Sequence, residues 1–176
     1  MIKHKKKNWR KIKLILLDVD GVLTNGLLTY TDTGAELKSF NVRDGWIIQE
    51  CVKLGLLEFG IITARKSAIV QRRAKELNVK YLYENYRDKL AALNDILEKT
   101  NYSPDEIMFV GDELMDAPVM LRVGISATVN DCATGLKKIA DFVATKNGGA
   151  GAVREIIEEL LKKQGKLKLL FNEYLK

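Results

Sequence analysis

The chain has 176 residues, 47% of them hydrophobic, and a formal charge of +6. That length fills one core and predicts a single domain, while the apolar run behind the basic N-terminus, "LILL", stops at Asp18, too short for a secretory leader or a membrane span. Cys51 and Cys132 lie far apart without metal-type spacing, which predicts reduced thiols in a soluble cytoplasmic protein rather than a disulfide framework.

Residues 1–13 hold seven of the 29 Lys/Arg and no acid, so the rest of the chain carries 22 basic against 23 acidic side chains. A basic face for nucleic acid is not indicated, and residues 1–12 read as a solvated tail. "KLILL" predicts a strand that runs out at Asp18. Asp20 follows two residues later, on the same face of an extended chain, so two carboxylates aim at one spot. Like charges at that range need a cation or an acid/base task to explain them.

From Gly26 to Phe40, two extended arms around "TDTG" predict a β-hairpin projecting just after the aspartates. "RDGWIIQECVKL" predicts a helix, "FGIIT" a strand ending at Thr63, and "KYLY" another strand. "DKLAALNDILEK" places Leu90, Leu93, Ile96 and Leu97 on one helical face. "IMFV" then leads into "GDELMD" (Gly111 to Asp116), and "ISATV" and "DFVA" complete the strands. The alternation predicts an α/β fold, a Rossmann-like parallel sheet with helices on both faces plus the hairpin. Its boundaries are residues 13–165, with residues 166–176 as a C-terminal tail.

Ligands in such sheets collect at the carboxyl ends of the strands. Asp18, Asp20, Thr63 and the Asp112 block end strands there, and Lys89 opens the following helix. Carboxylates suit Mg²⁺, and together with a hydroxyl and a lysine they predict phosphoryl transfer.

"DVDGVLT", "IIT", Lys89 and "GDELMD" resemble the four motifs of the haloacid dehalogenase superfamily of aspartyl phosphatases. "FNVRDG", "ITARKS", "PVM", "VGIS" and "GGAGAVREIIEELLKKQG" are similar to the 3-deoxy-D-manno-octulosonate 8-phosphate phosphatases, over roughly Lys13 to Lys166. The similarity extends to nonulosonate 9-phosphate phosphatases and to phosphatase-like domains fused to acylneuraminate cytidylyltransferases. The resemblance implies Asp18 as nucleophile, Asp20 as acid/base, Thr63 and Lys89 on the phosphoryl oxygens, and Mg²⁺ held by Asp18, the Asp20 carbonyl and Asp112. It implies substrate contacts from Asn41, Val42, Arg43, Asp44, Gly45, Ala64, Arg65 and Arg73, and a role in lipopolysaccharide precursor biosynthesis.

The chain departs from the family pattern at Ala64, Glu113, Ile47 and Gln49. Asp116 reads equally as a metal contact, a helix cap or a holder of Lys89; Asp44 reads also as a cap, and Arg65 and Arg73 also as solvated charges. Alternative functions are a nonulosonate 9-phosphate phosphatase, a polynucleotide phosphatase and a noncatalytic interaction module. The spacing from Asp20 to Thr63 and on to Lys89 leaves no room for a cap domain. The hairpin's apolar residues, together with the resemblance, imply a homotetramer in which the segment after Gly148 covers a neighbour's site.

Overall fold

The computed structural model describes residues 7–175. In chain order the elements are β1 (Leu14–Leu17), β2 (Thr29–Tyr30), β3 (Glu36–Leu37), α1 (Val42–Lys53), β4 (Glu58–Ile62), α2 (Ala68–Glu76), β5 (Tyr81–Tyr83), α3 (Lys89–Lys99), β6 (Ile107–Gly111), α4 (Ala117–Met120), β7 (Ile125–Thr128), β8 (Phe142–Val143), α5 (Ala152–Gln164) and α6 (Leu167–Asn172). Six strands form one parallel sheet in the order β5-β4-β1-β6-β7-β8, and β2 and β3 pair separately as the hairpin.

β1 lies at the centre because it is apolar on both faces: Leu14, Ile15, Leu16 and Leu17 are all fully buried. Its register sets Leu17 opposite Ile61 of β4 and Val110 of β6, so the chain leaves all three strands at nearly the same level. Asp18, Thr63 and Asp112 therefore emerge side by side. α1 packs against α5 on one face of the sheet, and α3 against α4 on the other. α5 turns Val153, Ile156, Ile157, Leu160 and Leu161 inward, each such burial contributing about 1.5–3 kcal/mol. Among the described residues no helix is long and apolar enough to cross a membrane.

Both ends differ from the sequence expectation. Residues 1–6 of the expected tail lie outside the described residues, but from Lys7 onward the chain is anchored. Lys7 pairs with Asp141 at 2.8 Å, Trp9 sits edge-on to Phe142, and the Gln164 amide donates to the carbonyls of Trp9 and Ile12. An aromatic side chain and backbone hydrogen bonds here outweigh the solvating effect of the surrounding lysines. At the other end, α6 folds back on its own chain: Leu170 is buried and the Tyr174 ring lies tilted against Trp46 of α1, 5.4 Å between ring centres.

Gly148 and Gly149 join the last strand to α5 by lying directly on the loop after β1. Gly149 N donates to Val22 O at 3.0 Å, and a Cβ on Gly148 would stand 1.7 Å from Gly21 O and 3.0 Å from Thr24 O. Those contacts are with backbone, which cannot swing aside. Gly148→Ala is expected to lower Tm by about 5–10 °C, from about 2–3 kcal/mol of overpacking. Because the displaced loop carries Asp20, activity should fall at temperatures where the variant is still folded. Unchanged thermal unfolding would show that this contact is loose.

Candidate active site

The site begins with the loop after β1. Asp18 N still donates to Val110 O at 3.0 Å, continuing the sheet for one residue. The backbone N–H groups of Val22, Leu23 and Thr24 then converge on Val19 O, and Thr24 Oγ1 accepts from the N–H groups of Gly21 and Gly26. Gly21 has φ of +92° and lies against Asp112, where a Cβ would come within 2.0 Å of Asp112 Oδ2. A side chain here would break the approach of the two loops.

Asp18 is buried. Its Oδ1 accepts from Val19 N at 2.6 Å, and its Oδ2 lies 2.6 Å from Lys89 Nζ. Lys89 is the first residue of α3, a helix capped by Asp88, whose side chain accepts from Leu90 N and Ala91 N. The lysine is 1% exposed and also donates to Asp116 Oδ1 at 2.6 Å. Asp116 Oδ2 accepts from Asp112 N and Glu113 N at 2.9 and 3.1 Å, so both its oxygens are engaged. Of the three readings open for Asp116, the geometry realises two, one oxygen holding Lys89 and the other capping the turn that begins at Glu113.

Asp18, Asp112 and Asp116 each offer an oxygen within 4.8 Å of the others. Burial pushes the Asp18 carboxyl up to about 6 despite the pull of Lys89. Burial, and then the charges of Asp18 and Asp116, push Asp112 up to about 7. Burial alone would depress Lys89, but its two carboxylate partners hold it above the ordinary lysine value. Asp112 Oδ1 is buried with no hydrogen-bond partner. An orphaned hard oxygen among carboxylates with more negative than positive charge fits a divalent cation of the Mg²⁺ type, with Asp18 and Asp112 as the donors still free to bind it.

Asp20 points to the hairpin. Its Oδ1 accepts from Lys38 Nζ, which also lies 3.1 Å from Glu36 Oε1, outside hydrogen-bond geometry; Glu36 Oε2 accepts from Arg65 at 2.9 Å. Neither Glu36 nor Lys38 emerged from the sequence reading. The signal was available: they stand two apart on an extended arm, the same spacing that singled out Asp18 and Asp20. Thr63 is buried after β4, where its Oγ1 accepts from Arg65 N at 3.3 Å, and Ala64 is half-buried beside it.

The other expected substrate residues separate from this cluster. Asn41 caps α1, accepting from Arg43 N at 2.8 Å and donating to Gly149 O at 3.2 Å. With Val42 and Arg43, both exposed, it lines a crevice closed by Asn25, Phe40 and Gly149. Asp44 is buried and faces α5, accepting from Arg154 N at 2.8 Å, with burial raising its pKa. Gly45 lies against the Arg73 guanidinium, which also stacks over the Phe40 ring at 5.4 Å. Glu113 is exposed and accepts from the N–H of Leu114, and it is not one of the three carboxylates that converge within 4.8 Å.

Because folding raises the Asp112 pKa from an ordinary 3.8 to about 7, the cation-free fold loses stability as pH rises through that interval. Asp112→Asn stays neutral and escapes the loss. In EDTA at pH 8 it is expected to raise Tm by about 2–4 °C, for about 1 kcal/mol after allowing for solvent screening. At pH 5, where the native acid is already largely protonated, the difference should shrink. A variant no more stable than the parent at pH 8 would show that the carboxylate is not strained.

The haloacid dehalogenase-like hydrolase family matches residues 82–157. The 3-deoxy-D-manno-octulosonate 8-phosphate phosphatase of Escherichia coli K12 is 46% identical over 156 residues, covering 89% of this chain and 82% of that protein; that of Yersinia pestis is 40% identical over a similar span. Among solved structures, the Moraxella catarrhalis 3-deoxy-D-manno-octulosonate 8-phosphate phosphatase, in complex with a magnesium ion, a phosphate ion and a KDO molecule, superposes with a TM-score of 0.90 at 35% identity, covering 94% of this chain and 95% of that one. The cobalt-bound Haemophilus influenzae enzyme gives 0.88 at 32% identity, covering 96% of this chain and 99% of that one. With a parallel sheet ending in the Asp18, Lys89 and Asp116 cluster and this identity over most of its length, the chain belongs to the 3-deoxy-D-manno-octulosonate 8-phosphate phosphatase family of haloacid dehalogenase-like hydrolases.

Proposed function

We infer that the chain is a Mg²⁺-dependent phosphomonoesterase that hydrolyses 3-deoxy-D-manno-octulosonate 8-phosphate to the free sugar acid and phosphate. The observation that carries this reading is the buried Asp18 carboxylate beside Lys89 at the end of the central strand, in a chain 46% identical to phosphatases of that substrate.

Asp18 attacks phosphorus, the ester P–O bond breaks, and its electron pair passes to the sugar oxygen, which takes a proton from the Asp20 carboxyl. Water then attacks the phosphorus of the aspartyl phosphate and gives a proton to Asp20. Phosphate leaves and Asp18 is restored. Lys89 has three N–H donors, of which two are used on Asp18 and Asp116, leaving the third for a phosphoryl oxygen; the Thr63 hydroxyl supplies another. Mg²⁺, which Asp18, Asp112 and the Asp20 carbonyl would hold, supplies positive charge to the phosphoryl group when bound.

Arg65 has five N–H donors and shares them with Glu36 and the Tyr30 hydroxyl, so it retains capacity for a substrate carboxylate. Arg73 and the Asn41–Gly45 segment are assigned to the sugar, Asn41, Val42 and Arg43 on the crevice they line with Phe40 and Gly149. The unit doing this work is residues 13–165, with residues 7–12 and α6 packed on it. Buried free Cys51 and Cys132 support a reducing cytoplasmic setting. Leu27, Leu28, Tyr30 and Leu37 are each about half exposed or more, which supports a homotetramer built on the hairpins.

Phosphate release with Mg²⁺ should be fastest from the octulosonate 8-phosphate, slower from a nonulosonate 9-phosphate, and negligible from a 3′-phosphorylated oligonucleotide. A reversed order of the two sugars would reassign the substrate. Asp18→Asn should fold and retain under about 1% of wild-type kcat, since an amide neither attacks phosphorus nor binds the cation well. EDTA should abolish turnover and Mg²⁺ restore it; full activity in excess chelator would remove the metal from the mechanism. Light scattering is expected to give four chains per particle, and an active monomer would rule out a shared site.

A further inference from the structure

We propose that Lys38 is a positioning residue for Asp20, fixing which carboxyl oxygen presents the proton to the leaving group. The inference rests on the phosphatase reading above and extends it to a residue of the hairpin.

Lys38 leaves β3 at the base of the hairpin, and its side chain is 1% exposed although the hairpin projects from the body. It is buried because it reaches inward, over the site. Its Nζ donates to Asp20 Oδ1 and approaches Glu36 Oε1 at 3.1 Å. An ammonium has only donors, so the oxygen it holds cannot also direct a proton toward it. With Oδ1 committed to Lys38, the acidic proton of Asp20 resides on Oδ2. The Asp20 side chain remains 27% exposed, so the carboxyl is open to the crevice while one of its oxygens is pinned by a buried group.

Glu36 connects this contact to the rest of the site. It stands two residues before Lys38 on the same arm, and its other oxygen accepts from Arg65 just beyond Thr63. That one arm of the hairpin thereby meets both the loop after β1 and the loop after β4. A bare carboxylate on a loop samples several rotamers. One pinned from the side keeps the geometry that proton transfer needs.

The test separates proton donation from every other step. An unactivated alkyl phosphate needs its departing oxygen protonated, whereas 2,4-dinitrophenyl phosphate releases a stable anion and does not. Lys38→Met is expected to lower kcat/KM for the alkyl phosphate by about 10–100-fold and that for the dinitrophenyl ester several-fold less. Adding Lys38→Met to Asp20→Asn should cost the alkyl phosphate nothing further, because the lysine acts only through that carboxylate. Lys38→Gln, which keeps a donor at similar length, should recover part of the loss and serves also if the Met variant does not fold. Equal losses on both esters, no loss on either, or a full additional loss in the double variant would overturn the role of Lys38. If instead Asp20→Asn itself treats the two esters alike, the acid/base assignment of Asp20 fails first.

Discussion

Everything in the site depends on one buried ammonium. Lys89 lies between Asp18 and Asp116 with 2.6 Å contacts to each and almost no solvent. Moving a lone charge into such surroundings is strongly unfavourable, and so is burying two carboxylates side by side; each is tolerated because the other is present. Three chain segments meet there. Lys89 begins α3, Asp18 follows β1, and Asp116 grips the backbone leaving β6 through the N–H groups of Asp112 and Glu113. The lysine therefore orients the Asp18 carboxylate and also holds the strand ends at their spacing.

Around that centre the charges alternate outward. Asp20 meets Lys38, Lys38 approaches Glu36, and Glu36 meets Arg65, each step placing opposite signs in contact. Ion pairs on a surface contribute little. This series differs because the Lys38 side chain is excluded from water, and because a hairpin with two-residue strands has too few backbone bonds to stand by itself. Its seat on the domain comes from the charged contacts at its base, while Leu27, Leu28 and Leu37 stay exposed.

The strands, the hairpin and the Asp18, Asp20, Thr63, Lys89 and Asp112 set were legible in the sequence because each rests on a short-range pattern: apolar runs, turn residues, or chemistry placed at a strand end. What was not legible involves contacts between distant segments. Glu36 and Lys38 sit in an arm whose neighbours are exposed, so "ELK" reads as solvated surface until the hairpin folds over the site. Asp44 carries the composition of a helix cap or a ligand, and only the arrival of α5 turns it toward Arg154 N. The N-terminal charge run hid the anchoring by Trp9, since counting lysines says nothing about an indole packed on Phe142. In the sequence Asp116 stays open between three roles, because the distinction lies in which backbone donors its second oxygen meets.

The absence of room for a cap also has a physical consequence. Between Asp20 and Thr63 the chain is fully used by the hairpin, α1 and β4, and between Thr63 and Lys89 by α2 and β5. Within one chain the hairpin is thus the element available beside the mouth of the site, and it reaches Asp20 through Lys38. In an enzyme with a separate cap, excluding water and orienting the acid are tasks for different parts of the chain. Here one buried side chain, Lys38, joins the hairpin directly to Asp20, so the seat of the hairpin and the orientation of that carboxylate are set by the same contact.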